Sequence, residues 1–337
     1  MQFEYTSQQS EFEHFFGGFF HISAFGKIEP GDEIKFHEFL TRVCPPPRTT
    51  IYIDSFGGEV DAAIAIGRII RGCWFATSIG RYALDHDKSN DFGIPRKLTD
   101  GQCLSAATLI FVGGRLRHFS KEAKFGVHRF SFRDPLPEKI DHSQILSAKI
   151  ATYLSDMGIS PAFLEVSSGV SNSTIRLIDE AELRDLKIVT GGVTDVSWAM
   201  QARGSMLYVR GERDSIWGHH KVMLGYIKGH GFHFWAVIEA QGREKELNEF
   251  GSVEITVNGE ELRIDISEEC HRTTIGIYVN VMSFITQEQA KLIAYSDSFG
   301  VQIRFSKDSD LFFGISAMVT EGGKETLATF YDVLCAD

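Results

Sequence analysis

The chain has 337 residues, 43% of them hydrophobic and 23% charged, enough for one large or two ordinary domains with real cores. Its 34 Lys and Arg against 45 Asp and Glu give a formal net charge of −11, and no basic cluster offsets the excess. Phosphate contacts need Lys and Arg, so the balance argues against nucleic acid and anionic membrane as partners.

The opening MQFEYTSQQSEFEHFFGGFF has no basic start and no clean apolar run, so no signal peptide is expected. FHISAFGKI reads as a strand. PGDEIKFHEFLTRVC reads as a helix, with Ile34, Phe36, Phe39 and Leu40 on one face and Pro45–Pro47 ending it. TTIYID is a β-branched buried strand, and SFGGEVDAAIAIGRIIRGC a glycine turn followed by an amphipathic helix. FATSIG is the next strand. The polar, Gly- and Pro-containing residues 84–100 read as an exposed loop. SAATLIFVGG is a small-residue helix ended by glycine, and KFGVHRF a short strand. DHSQILSAKIATYLSDMG is a helix that Asp141 would cap and Gly158 would end. SPAFLEVSS starts another, and DEAELRDLKIV carries a capping box of Asp179 with Glu182 before returning to strand.

Strand–helix crossovers of this kind predict an α/β domain with a mostly parallel sheet over residues 1–198. From about Met206 the signals change to strands, in SMLYVRG, KVMLGYI, FHFWAVIEA, SVEITVNGEELRIDI, GIYVNV and VQIRFS, with helices TQEQAKLIAYSDSF and GKETLATFYDVLC, so residues 199–337 are expected to form a β-rich second domain. Asn258-Gly259 between two alternating runs is its strongest hairpin signal. No stretch approaches the length of a membrane span. The scattered cysteines (Cys44, Cys73, Cys103, Cys270, Cys335) form no C-x-x-C pair and read as free thiols of a reducing compartment. The expectation is a cytoplasmic protein with no cofactor and no metal.

The chemistry-bearing residues lie in the first domain. A serine hydroxyl needs a base in reach and donors for the developing oxyanion. Ser105 opens a buried helix, and His128 follows the return strand one helix later. Gly57 and Gly58 follow the strand IYID, where the absence of side chains lets backbone N–H groups approach a substrate carbonyl. Taken singly, each has a plainer reading: a helix-packing serine, a structural histidine, a turn.

Together, in this order, they resemble the Clp protease proteolytic subunit and its relatives in the Clp/crotonase superfamily, over roughly residues 18–195. That family has a strand ending in Ser-Pro-Gly-Gly, here SFGG. It has a Gly-x-x-x-Ser nucleophile motif opening a buried helix, here GQCLSAATLIFVGG. It then has a hydrophobic-His context, here FGVHRF, and a following helix similar to IRLIDEAELRDLKIV. The resemblance implies a serine peptidase with Ser105 as nucleophile and His128 as base. It also implies an oxyanion hole from the Gly58 and Ala106 N–H groups beside Gly57, and a homo-oligomer acting on a peptide or protein, with room for an activating partner. Two positions depart from the family. Phe56 stands where the family has proline, and Ile175 falls where it has the aspartate that orients the histidine. Asn172 is the candidate third member, with Ser173, Asp179 and Asp134 as alternatives.

The rival to a peptidase is a catalytically impaired Clp-like binding or scaffold protein. A crotonase-type acyl-CoA enzyme would not need Ser105 and His128 together. A Ser-Lys dyad would call on Lys149, which falls on the polar side of its helix. In the second domain His219, His220, His230 and His233 invite a metal reading. Adjacent strand histidines point to opposite faces, so a solvated strand edge or loop is the expectation there.

Overall fold

In a computed structural model the structure describes residues 1–6, 20–89, 96–129 and 137–335. The chain separates into two compact units, Met1–Gly192 and Val193–Asp337.

In the first unit β1 (Gln2–Thr6), β2 (His21–Phe25), β3 (Thr50–Asp54) and β4 (Ala76–Ile79) form one sheet in that order. β2, β3 and β4 are parallel and β1 is antiparallel. Parallel neighbours need a crossover, supplied by α1 (Asp32–Val43) and α2 (Val60–Gly72). β5 (Arg81–Leu84) and β6 (Arg96–Thr99) pair as an antiparallel hairpin, so part of the expected loop over 84–100 is strand; residues 90–95 lie outside the described residues. β7 (Gln102–Leu104), β8 (Lys124–Val127) and β9 (Arg176–Ile178) form a further sheet, β7 and β8 parallel, β9 antiparallel to β8. A single parallel bridge, Ser55 to Cys103, links the two sheets, and another ties Thr77 of β4 to Arg117. The unit is therefore mixed α/β, and among the described residues parallel strand pairing, apart from isolated bridges, is limited to β2–β3–β4 and β7–β8.

The helix α3 (Ala107–Val112) is buried at every residue. It is clamped by close approaches. A Cβ on Gly67 of α2 would lie 2.8 Å from Leu109 O, and one on Gly113 would lie 2.4 Å from Gly67 O. Tyr153 of α4 (Pro137–Asp156) donates to Leu109 O at 2.7 Å. Asp141 lies inside α4 rather than at its start, whereas Gly158 follows its end with φ 72°. Ile34 is 60% exposed, off the buried face formed by Phe36, Phe39 and Leu40. Beyond α5 (Ala162–Ser168), Asp179 caps α6 (Glu180–Asp185) through Glu182 N, but the Glu182 carboxylate pairs with Arg176 instead of closing the box.

Arg117 joins these parts. It is 4% exposed and donates to Ile188 O (2.6 Å), Lys187 O (2.8 Å) and Gly114 O (3.1 Å). Burial, with a smaller push from Arg71, lowers its pKa to about 9, which leaves it charged at neutral pH.

The second unit is antiparallel. β10 (Ser197–Arg203), β11 (Met206–Ser215), β12 (Gly218–Ile227) and β13 (Gly231–Glu239) run in sequence, and β17 (Tyr278–Phe284) and β16 (His271–Ile275) complete a six-stranded sheet. β15 (Leu262–Asp265), β14 (Ser252–Val257), β18 (Ser298–Arg304) and β19 (Phe313–Val319) form a four-stranded one. Alternate residues such as Val222, Leu224 and Phe234 share one core with Val253, Ile255 and Val301. α8 (Gln287–Ala294) and α9 (Lys324–Cys335) add Ile293, Leu327 and Phe330 to it. β10, α7 (Glu244–Glu249), β16 and β19 are elements for which the sequence reading had no counterpart. Asn258 and Gly259 do turn β14 into β15, both at positive φ. Among the described residues no helix is long and apolar enough to cross a membrane.

Replacing Arg117 by Met would leave three buried carbonyls without their donor, at a cost of about 3 kcal/mol. Protection of the β3 amides against hydrogen exchange should fall by about two decades; unchanged protection would contradict the role given to this side chain.

Candidate active site

The site is built where the ends of β2, β3 and β7 converge. Ser55, just past β3, is 1% exposed. Its N–H donates to Gln102 O (2.6 Å), its carbonyl accepts from Leu104 N (3.0 Å), and its hydroxyl donates to Gly26 O (2.6 Å) while accepting from Gly57 N (3.1 Å). The following glycines are required by contact and by conformation. Gly57 has φ 95°, and a Cβ there would lie 2.9 Å from Ser105 Cβ and 3.0 Å from Ala106 N. Gly58 has φ 147°, and its Cβ would lie 2.1 Å from Ile28 O. The glycine backbone is thus held directly against Ser105 and Ala106. Neither the Gly58 nor the Ala106 N–H donates to another group among the described residues.

Ser105 links β7 to α3 with φ 56°, a left-handed conformation that a non-glycine residue rarely adopts. The conformation is locked from both sides. Ser105 N donates to Gly126 O (2.9 Å), and Ser105 O accepts from Thr108 N (3.0 Å) and Thr108 Oγ1 (2.7 Å). The turn leaves the residue half-buried, with Oγ making no hydrogen bond among the described residues. Cys103, two residues earlier, is fully buried, and that burial, helped by Asp54, pushes its thiol pKa well up. It stays a neutral thiol and does not compete as nucleophile.

β8 lies beside β7 with Leu104 opposite Gly126, so His128 leaves β8 beside the Ser105–Ala106 turn. Its Nδ1 is 3.0 Å from Arg129 O. A carbonyl can only accept, so Nδ1 carries the proton and Nε2 is left as the basic nitrogen. Ser105 Oγ and His128 Nε2 are brought to neighbouring strand ends but are not hydrogen-bonded to each other.

The third member is not assembled as the sequence suggested. In the β8–β9 register Val127 pairs with Arg176, which carries Ile175 next to His128. Arg129 N donates to Val170 O at 2.9 Å, bringing the loop that holds Asn172 alongside. Asn172 is exposed and makes no hydrogen bond to His128; Ser173 bonds Ser171, and Asp179 is engaged as a helix cap. Asp134 lies outside the described residues. Lys149 is ion-paired with Asp61, away from any role as a base. Phe56 is 70% exposed beside the glycines. Two parts of the site were not found by sequence reasoning. Ser55 was within the SFGG motif and its hydroxyl could have been weighed. The Arg129 carbonyl leaves no side-chain signal.

Of His219, His220, His230 and His233 only His230 is solvated, exposed in the turn between β12 and β13; the other three are buried. His219, His220 and His233 are 6%, 3% and 1% exposed. His219 Nδ1 lies 3.1 Å from Asp214 Oδ1, and His230 stacks on Phe284. Among the described residues no three His, Cys, Asp or Glu side chains cluster as metal ligands.

No family model matches the chain, and no curated protein matches it. Solved structures do. One is a ClpP1 mutant from Listeria monocytogenes, 15% identical, matched over 50% of this chain and 86% of that chain with a TM-score of 0.36. A likeness that distant assigns no residue a role, and the site stands on its own geometry.

Ser55→Ala would strand Gly26 O and Gly57 N–H at the convergence, and should cost about 1–2 kcal/mol in a urea titration. An unchanged midpoint would show that the hydroxyl does not tie these strands.

Proposed function

We propose that the first unit is a serine hydrolase of the peptidase type. The observation that carries this reading is the strained Ser105 turn, packed against the Gly57–Gly58 backbone and beside His128. Backbone strain of this kind costs about 1–3 kcal/mol and persists where surrounding structure enforces it, most often at functional sites. In the reaction Ser105 Oγ attacks the peptide carbonyl as its proton passes to His128 Nε2. The oxyanion is received by the Gly58 and Ala106 N–H groups. His128 then returns the proton to the departing amine, and water repeats the sequence on the acyl-enzyme. The Arg129 carbonyl does part of the work of an aspartate: it holds the tautomer but adds no full negative charge to stabilise the imidazolium, which predicts a slow enzyme. A peptide or protein substrate, a homo-oligomer and an activating partner belong to the same reading.

A binding or scaffold role is favoured by one specific observation, the missing Ser105–His128 hydrogen bond. A fluorophosphonate probe separates the two. On the peptidase reading the wild-type chain is labelled, Ser105→Ala is not, and His128→Ala is slowed by about a hundredfold or more. Asn172→Ala retains the wild-type rate within about threefold, because Nδ1 is already held by Arg129 O. Absence of labelling in wild type, or labelling that survives Ser105→Ala, would overturn the catalytic assignment.

A further inference from the structure

One face of the six-stranded sheet packs on the core of the second unit, and the opposite face holds a cavity that none of the preceding chemistry uses. Trp235, Met206 and Met282, each half-buried, line it with Ile275, and its volume is about 400 Å³. The lining also takes Arg203 from β10 and His271 and Thr273 from β16, the two edge strands of the sheet. Neighbouring strands lie about 4.8 Å apart, so a flat sheet would hold those edges about 24 Å from each other. The sheet therefore curls around the cavity. Met206 of β11 and His233 of β13 show the same curvature, meeting over Gly225 of the strand between them with Nε2 3.0 Å from Sδ.

The polar groups of the lining are donors. Trp235 Nε1 donates to Asn280 Oδ1 at 3.2 Å. An indole nitrogen only donates, so the amide oxygen is spent and its NH2 group remains. Thr273 lies directly opposite Asn280, and His271 opposite Met282, in the β16–β17 register. The side chains of Arg203, Thr273 and His271 make no hydrogen bond or ion pair among the described residues. No Asp or Glu among them lines the cavity. Donors therefore stand on both sides of Trp235: a guanidinium from β10, and a neutral amide and hydroxyl from β17 and β16. A ligand that satisfies this lining has an apolar body, an anionic acceptor on one side and a neutral acceptor on the other.

We propose that the cavity binds an N-acylated α-amino acid with an apolar side chain, the chemistry of the carboxyl end of a peptide. The apolar side chain lies against Trp235, Met206 and Met282, and the carboxylate pairs with Arg203. The acyl carbonyl accepts from the Asn280 amide and the Thr273 hydroxyl, which are cross-strand neighbours. The lining selects this class. A guanidinium matches a planar carboxylate with two parallel hydrogen bonds. A cation is repelled by Arg203 and finds no carboxylate in the lining. Ligand pockets run from about 300 to 1,000 Å³, so this cavity suits a single residue. The site is built wholly from second-unit residues and does not depend on whether Ser105 is catalytic.

N-acetyl-L-phenylalanine is titrated into the full chain and followed by calorimetry and by the indole N–H signal of Trp235 in NMR, assigned with Trp235→Phe. One saturable site per chain is expected, with that signal shifting. N-acetyl-L-phenylalaninamide, which lacks the charge, should bind about tenfold more weakly, and phenylpropionate, which lacks the acyl group, about threefold. Arg203→Met should weaken the acid about tenfold and leave the amide unchanged. Thr273→Val should weaken N-acetyl-L-phenylalanine and leave phenylpropionate unchanged. Unchanged melting temperatures verify that both variants fold, and Lys291→Met, at an exposed position of α8, should alter neither affinity. N-acetyl-Ala-Ala-Phe binding about tenfold tighter than the single residue assigns the ligand to peptide ends, and equal binding assigns it to free acylated amino acids; either upholds the site. Absence of saturable binding, equal binding of amide and acid, or full affinity in Arg203→Met overturns the proposal.

Discussion

Ser55 commits every hydrogen-bonding atom it has to joining three strand ends, and the candidate site is a consequence of that junction. Its peptide groups bond Gln102 and Leu104, while its hydroxyl bridges Gly26 and Gly57. With those ends fixed, the β3–α2 turn has no room for side chains: Ile28 O blocks a Cβ at Gly58, and Ser105 blocks one at Gly57. The glycine pair is therefore dictated by packing as much as by chemistry. Among the described residues the Gly58 and Ala106 N–H groups donate to no acceptor, and the Gly57 backbone between them lies against Ala106 N. A structural requirement and an anion-receiving geometry are met by the same atoms.

The first unit was the more legible because its signals are redundant. A β-branched strand, a glycine turn and a helix with a 3.6-residue apolar period agree with one another at residues 50–72. Ser105 was singled out at the start of a buried helix and His128 after a strand; the structure places both just past the ends of the parallel neighbours β7 and β8. What stayed hidden was carried by backbone. The positive φ of Ser105 has no residue-type signature, since serine is not glycine or asparagine. The acceptor for His128 Nδ1 is a carbonyl that any residue could supply. A search restricted to side chains looks for a carboxylate, passes through Ile175 and settles on Asn172, while the bond is made one residue from the histidine.

In the second unit a different assumption failed. The four histidines were read as a solvated strand edge or loop, because adjacent strand residues point to opposite faces. Here His219, His220 and His233 are buried, and Arg304, Glu254 and Gln302 on the other sheet are buried with them, Arg304 pairing with Glu254 at 3.1 Å. Long side chains lying flat against their cross-strand neighbours shield one another, and a period of two cannot distinguish that from exposure. The strands themselves were found wherever an apolar alternation was strong. β10 and β16 were missed because edge strands bury fewer residues and so carry weaker alternation; SWAMQAR and HRTTI hold no fully buried position.

The unmade Ser105–His128 hydrogen bond weighs less against catalysis than it first suggests, because of where the energy is stored. The demanding elements of an acyl-transfer site are backbone ones: a nucleophile turn strained by about 1–3 kcal/mol, and N–H donors that cannot be reoriented without moving the strands that carry them. On the proposed reading these are the Ser105 turn and the Gly58 and Ala106 N–H groups, in backbone held by Ser55, by Gly126 O and by the burial of α3. What is not made is the hydrogen bond between the Ser105 and His128 side chains. An off-minimum χ angle costs on the order of 1 kcal/mol, and a bound acyl group would offset it by supplying a carbonyl to the two waiting N–H groups. Catalytic hydrogen bonds are often long before substrate binds and tighten afterwards. A scaffold that had lost its chemistry would be under no physical need to hold a serine in a left-handed turn. An asparagine or glycine would occupy it with less strain, and the serine found there is the reason to test for an activated hydroxyl.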